Sequence, residues 1–198
     1  MYGASLVPGN QYLEFCLWVL EVDGLTVGPF DQHGDGNGEL RALGMTPELW
    51  RNWFERTHLA HREHVARLAD WFRQKALRET PVPQFLPHEV WPGPTAAQEV
   101  LRTWWREYDA IWPTRSEGWR KFERLFSKTL IWLWSARNPP ELTSLPPRPL
   151  FNFVDYPGPV LYVVSSDTVI IGVRGWEPQP AEYSEVLWAA LKMLADAT

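Results

Sequence analysis

Residues 160–173 read VLYVVSSDTVIIGV, and they decide the fold class because two apolar, β-branched runs flank a short polar turn. Valine, isoleucine and tyrosine favour strands, while Ser165, Ser166 and Asp167 have side chains that stabilise turns. The stretch therefore predicts an antiparallel β-hairpin. Apolar residues at helical spacing follow it and predict a C-terminal helix over about 180–196, with one face formed by Tyr183, Val186, Leu187, Ala190, Leu191 and Leu194.

A second hairpin is expected near the N-terminus. The run QYLEFCLWVLEV, residues 11–22, is rich in aromatic and branched side chains and is followed by Asp23-Gly24 and LTVGPF. Asp-Gly favours a turn that needs positive φ. The run alternates little between apolar and polar residues, so its strand is expected to be covered on both faces.

Three helices are expected between the hairpins. Thr46-Pro47-Glu48 has the composition of a helix start, and a helix over about 47–78 has an apolar face made of Trp50, Trp53, Phe54, Thr57, His61, His64, Leu68 and Phe72. Thr95 and Gln98 predict a capping box for a second helix that ends at Pro113. A third helix is expected from Thr114 to about Arg137.

The element order ββ-ααα-ββα predicts a single α+β domain over residues 1–198. Each apolar face needs cover, so we expect a four-stranded, mostly antiparallel sheet from the N- and C-terminal hairpins, packed with a three-helix insert and a C-terminal helix. Residues 51–137 form a helical, basic subregion of this domain, because residues 51–78 and 101–137 each carry a net charge of +4. The whole protein has a net charge of −5, so this basic region can mark a partner surface or can be neutralised within the fold.

Composition excludes several classes of protein. The single cysteine, Cys16, excludes an intramolecular disulfide and a multi-cysteine zinc site. The start MYGASLVPGN lacks the features of a signal peptide, and the longest wholly apolar run, FCLWVL, is too short to span a bilayer. We therefore expect a cytoplasmic protein without membrane association. Thirteen tryptophans make it unusually rich in large, rigid apolar surfaces.

The stretch FDQHGDGNGEL, residues 30–40, combines two aspartates, a histidine and glycines as a metal or phosphate loop would. A calcium loop started at Asp31 has Ala42 at its twelfth position, and one started at His33 has Gly44 there, where a bidentate glutamate is needed. Neither a phosphate-binding nor a dinucleotide-binding glycine pattern fits. The stretch predicts an exposed turn, and no cofactor is expected.

His61 and His64 lie one helical turn apart on the apolar face of their helix, where two imidazoles could bind a metal. The acids available on the next two helices are Glu107, Asp109, Glu117 and Glu123, and none lies squarely on an apolar stripe. A structural role for both histidines is the favoured interpretation. A metal-dependent hydrolase that uses them is one alternative function; no catalytic triad pattern is present.

The segment LRTWWREYDAIWPTRSEGWRKFERLF, residues 101–126, interleaves aromatic and basic residues. Trp105 lies about 100° from Trp104, outside the centre of the apolar stripe, and a partner-binding surface is predicted at Arg102, Trp105, Arg106 and Arg120. The leading hypothesis is a non-enzymatic, bacterial-type protein–protein interaction module, regulatory or immunity-like: an adaptor, inhibitor or neutraliser of a larger protein. The other alternative is nucleic-acid binding by the basic aromatic helices, which the overall acidity of the protein disfavours.

Overall fold

The computed structural model describes residues 5–6, 10–31, 34–73, 85–115, 122 and 149–197 of this mixed α+β protein. The protein forms two compact units. The helical unit is Gln11–Ala110, and the sheet unit combines Met1–Asn10 with Ile111–Thr198. The single domain over residues 1–198 stays a prediction.

The helical unit begins with α1, Gln11–Asp23, where a strand was expected. The predicted N-terminal hairpin is therefore wrong. Leu13, Phe15 and Leu20 are fully buried, and an apolar run without alternation fits a helix enclosed by its neighbours as well as it fits a covered strand. Gly24 follows the helix with φ 70°, and its N–H donates to the carbonyl of Leu20 at 2.8 Å. The positive φ that suits Asp-Gly in a hairpin suits a helix C-terminus equally.

A short helix α2, Glu39–Ala42, precedes α3, Pro47–Arg73. The predicted start of α3 is confirmed, because Thr46 Oγ1 accepts a hydrogen bond from the N–H of Leu49 at 3.2 Å. The buried residues of α3 all lie in its first half: Trp50, Trp53, Phe54, Thr57 and His58. Residues 74–78 of the predicted helix lie outside the described part of the protein.

A 3₁₀ helix, Pro87–Val90, leads into α4, Thr95–Arg115. The side chain of Gln98 donates to the carbonyl of His88 at 2.8 Å instead of closing the predicted capping box, so it ties α4 to the 3₁₀ helix. α4 continues through Pro113, where the sequence predicted its end. Of the third predicted helix, Thr114 and Arg115 belong to the end of α4, Phe122 is helical, and the other residues lie outside the described part of the protein.

Aromatic side chains from α1, α3 and α4 form the core of the helical unit. The ring of Phe15 lies 5.1 Å from Trp105 and 5.9 Å from Trp53, edge to face in both pairs. Buried indole N–H groups need acceptors, and here backbone carbonyls supply them: Trp50 Nε1–H donates to Cys16 O at 3.0 Å, and Trp53 Nε1–H donates to Pro87 O at 2.7 Å. This network fixes α3 against α1 and against the 3₁₀ helix.

The sheet unit contains β2, Leu150–Pro157; β3, Val160–Ser165; and β4, Thr168–Arg174. The strand order is β1-β2-β4-β3, where β1 is the two-residue segment Ser5–Leu6. β3 and β4 pair antiparallel, in the stretch where the sequence predicted a hairpin. β2 pairs parallel with both β4 and β1.

The predicted four-stranded, mostly antiparallel sheet from two hairpins is therefore wrong in its arrangement. Three strands of six to eight residues make up most of the sheet, and the N-terminal segment adds two residues of parallel pairing. The pattern of one strand does not specify its partner. The sequence gives only a weak strand signal over residues 150–157, because they follow a proline-rich segment and carry Asn152 and Asp155.

The C-terminal helix, α5, spans Pro180–Asp196 as predicted. Its buried residues join the apolar side chains of β2 and β4 in one core: Phe122, Phe151, Phe153, Val169, Ile171, Val173, Trp176, Tyr183, Leu187, Ala190, Leu191 and Leu194. Tyr183 Oη donates to the carbonyl of Phe122 at 3.1 Å, and burial raises the pKa of this phenol. Asp155 on β2 lies between Arg115 and Arg174, with nitrogen–oxygen distances of 2.8 and 2.9 Å.

Candidate functional site

The candidate site lies on α4, where Arg102 and Arg106 are exposed one turn apart. Residues four apart share a face of a helix, and the opposite face of α4 is buried through Leu101, Trp104 and Tyr108. The core thus orients both guanidinium groups outward. The fourth predicted partner-binding residue, Arg120, lies outside the described residues.

Trp105 is more enclosed than its helical angle suggested. Only 7% of the residue is exposed, and its ring stacks on Tyr12 of α1 at 5.6 Å with an interplanar angle of 13°. α1 is the element that the sequence misassigned, so its cover over this side of α4 was not expected. Trp105 is therefore mainly a core residue, but it also lines a surface pocket beside the two arginines.

This pocket has a volume of about 440 Å³ and is lined by Leu86, His88, Glu89, Arg102, Trp105 and Arg106. Its wall is the 3₁₀ helix, which is held by the bonds from Trp53 and Gln98 already described. Glu89 Oε2 accepts a hydrogen bond from the N–H of Leu86 at 2.8 Å, which fixes this carboxylate at the start of the wall. We call this site the α4 pocket.

The two arginines of the α4 pocket differ in their pairing. Nη1 of Arg102 donates to both carboxylate oxygens of Glu99, at 3.0 and 2.8 Å. Arg106 makes no hydrogen bond or ion pair with any residue that the structure describes. Arg106 is therefore the cation of this pocket that is more available to an incoming ligand.

His88 is a wall residue that the sequence did not connect with any other group. It is 4% exposed, and its Nδ1 is buried with no hydrogen-bond partner among the described residues. Burial lowers the pKa of His88, with Arg102 and Arg106 acting in the same direction and Glu89 and Glu99 opposing them. The proline-rich sequence around it gave no signal of this neighbourhood, because it depends on how the 3₁₀ helix packs on α4.

Family models, curated proteins and solved structures were compared with this protein, and none matches. The functional interpretation therefore depends on the chemistry of the site alone. No helix within the described ranges has the length and apolar character needed to cross a membrane.

His61 and His64, which were expected to be structural and had metal binding as the alternative, lie against aromatic rings. His61 lies 5.3 Å from the ring of Tyr12, and His64 lies 6.0 Å from Phe85. Burial lowers the pKa of His61 to about 4, and the neighbouring His58 and His64 contribute to this lowering. Among the described residues, no three histidine, cysteine, aspartate or glutamate side chains cluster in a way that could bind a metal ion.

Two of the four acids considered as further metal ligands lie among the described residues. Asp109 accepts a hydrogen bond from the side chain of Gln11 at 2.7 Å, and Glu107 is exposed. Glu117 and Glu123 lie outside the described residues. The structural role expected for His61 and His64 stays a prediction, and metal binding by the pair stays its alternative.

The described residues of the stretch 30–40 form hydrogen bonds with the C-terminal end of α1. The N–H groups of Asn37 and Gly38 donate to the carbonyls of Val22 and Asp23 at 2.8 and 3.2 Å. The buried carboxylate of Asp23 accepts the N–H of Leu40 at 2.7 Å and so caps α2. Gly24 and Gly36 cross so closely that a Cβ on either would overlap the other's backbone. His33 lies outside the described residues.

Proposed function

We propose that this protein is a non-enzymatic interaction module, an adaptor or inhibitor that binds a larger protein through the α4 pocket. The observation that carries the proposal is the guanidinium of Arg106, unpaired among the described residues, at a pocket that is also lined by Trp105 and Leu86. Arginine and tryptophan are enriched at the centres of protein interfaces, where an apolar surface and a directed cation act together. A pocket of about 440 Å³ is large enough for one or two side chains of a partner.

Charge favours a protein partner over nucleic acid at this site. Nucleic-acid affinity grows with the number of phosphates that lysine and arginine neutralise. Around the α4 pocket, Arg102 is already paired with Glu99, and Glu89 adds a negative charge to the lining. One uncompensated cation among the described residues that line this pocket suits a directed contact with a protein better than repeated contacts along a polyanion.

The test is co-purification of a partner from the organism that encodes the protein. Tagged wild-type protein, Arg106→Glu and Arg51→Glu are compared at matched expression, with nuclease treatment in every arm. Arg51 lies on α3 in a different surface pocket, with Glu48 and Glu55, so its reversal is a matched control. We expect one stoichiometric protein to be retained by the wild type and by the control and to be lost with Arg106→Glu.

Three outcomes contradict the proposal. Equal retention by Arg106→Glu removes the α4 pocket from the interaction. Recovery of the lone protein in every arm removes the interaction itself. Salt-dependent binding of single or double strands by the purified wild-type protein, weakened in Arg106→Glu, assigns the surface to nucleic acid instead.

A further inference from the structure

The charges that line the α4 pocket define the ligand it can hold. Arg102 and Arg106 contribute two positive charges and Glu89 one negative charge, while Glu99 sits outside the lining and neutralises Arg102. Glu89 already accepts the N–H of Leu86. This hydrogen bond leaves the negative charge of Glu89 in place, so among the described residues the pocket has one guanidinium without an ion-pair partner and no excess of positive charge, which suits one carboxylate better than a dianion.

The wall of the pocket contains a second unsatisfied group. His88 is almost wholly buried, it lines the pocket, and its Nδ1 lacks a hydrogen-bond partner in the part of the protein that the structure describes. A buried polar atom without a partner is costly, and native proteins normally supply one. His88 and Arg106 line the same pocket, so one ligand group can lie beside both residues.

We propose that the α4 pocket is a binding site for a single carboxylate, which an acidic segment of the partner protein supplies. Arg106 pairs with the carboxylate, whose planar geometry fits a guanidinium fork. His88 contacts the same group from the wall, and Leu86 with Trp105 contacts the apolar part of the acidic residue. A phosphate dianion would leave one of its charges uncompensated. This inference rests on the proposed function for the identity of the partner, but the site itself is testable with small ligands.

Binding also couples to the protonation of His88. The charged groups that act on its pKa are Arg102 and Arg106, which lower it, and Glu89 and Glu99, which raise it. A bound carboxylate adds a negative charge beside the imidazole and therefore raises the pKa of His88. Binding is then accompanied by proton uptake at His88, so the affinity for the carboxylate increases as the pH falls.

The experiment is an NMR titration of the whole protein that follows the imidazole of His88 and the indole N–H of Trp105 at constant ionic strength. The probes are acetyl-glutamyl-amide, its uncharged glutaminyl counterpart, acetyl-leucine and inorganic phosphate. The carboxylate of acetyl-glutamyl-amide lies on the side chain and that of acetyl-leucine on the backbone, so the pair distinguishes an internal acidic residue from the C-terminus of a partner. Arg106→Gln is the test variant and Arg51→Gln the control; both side chains are at least partly exposed, so both proteins should fold.

We expect saturable shifts of both resonances with a carboxylate probe, none with the glutaminyl probe, and about tenfold weaker binding in Arg106→Gln. The absence of a saturable shift up to about 50 mM probe, unchanged binding in Arg106→Gln, or tighter binding of phosphate would each overturn the proposal. Carboxylate binding without any protein partner leaves the site standing and removes the proposed function. If a partner protein is lost with Arg106→Glu but no carboxylate probe binds, the proposed function stands and the carboxylate site is removed.

Discussion

Acidification from pH 7.5 to pH 5 should destabilise the protein specifically through His61. Burial among Tyr12, His58 and His64 lowers the pKa of this imidazole to about 4, against 6.5 for an exposed one. The unfolded protein therefore binds the proton first as pH falls, and stability is lost between pH 6.5 and 4. For one group with these two pKa values, linkage gives a loss of about 2 kcal/mol between pH 7.5 and pH 5.

The assay is urea denaturation followed by tryptophan fluorescence at several pH values, on the wild type and on His61→Gln. Other titrating groups act in both proteins, so the difference between the two free energies of unfolding isolates His61 to a first approximation. The variant also loses the contact with Tyr12, which adds an offset that does not depend on pH. We expect the advantage of the wild type to shrink by about 2 kcal/mol over this range.

A difference that stays constant from pH 7.5 to pH 5 would refute the reasoning, because it would mean that His61 titrates alike in the folded and unfolded protein. A metal ion on His61 and His64 would instead make the loss depend on chelator. Repeating the titration after dialysis against a chelator therefore also tests the metal alternative, and metal analysis of the purified protein gives an independent readout.

Three further substitutions or treatments follow from the packing. Asp155 lies between two guanidinium groups, so Asp155→Ala should lower the free energy of unfolding by about 1–3 kcal/mol. Asp70 belongs to an exposed ion pair, so Asp70→Ala should lower it by less than about 1 kcal/mol. Equal losses for the two variants in urea denaturation would contradict this prediction. Gly36→Ala should cost about 1–3 kcal/mol because its Cβ overlaps the backbone of the facing turn, while Gly34→Ala, with open space around it, should be nearly neutral in the same assay. The thiol of Cys16 is buried and burial raises its pKa, so Ellman's reagent should leave it unreacted at pH 8 until urea unfolds the protein; prompt reaction of native protein would show that the site opens.

The sequence predicted the elements whose ends carry local signals. Thr46 and Pro47 mark the start of α3, and the spacing of apolar residues predicted α5 to within its observed bounds. α1 was misassigned because a run that is apolar on every side carries no period, and Asp23-Gly24 suits either a hairpin or a helix end. Sheet order could not be read either, since the parallel pairing of β2 with β1 joins residues distant in the sequence.

The candidate site was predictable only in part, because it depends on contacts between elements that are distant in the sequence. Arg102 and Arg106 were expected at one surface, and they share the α4 pocket. The burial of Trp105 depends on α1, which was expected to be a strand, and the contribution of His88 depends on the docking of a 3₁₀ helix. Helical spacing predicts the neighbours within one element, but contacts between elements need the tertiary packing.

The strand order has a consequence for biosynthesis. Ser5 on β1 pairs with Leu150 on β2. A ribosome adds about 5–20 residues per second, so β2 is synthesised on the order of ten seconds after β1. β2 can pair with β4 only after β4 has been synthesised, and the core of the sheet unit is complete only when Leu194 has left the exit tunnel. The helical unit draws on a continuous segment and can collapse earlier, which leaves the nascent N-terminal segment available to chaperones throughout that interval.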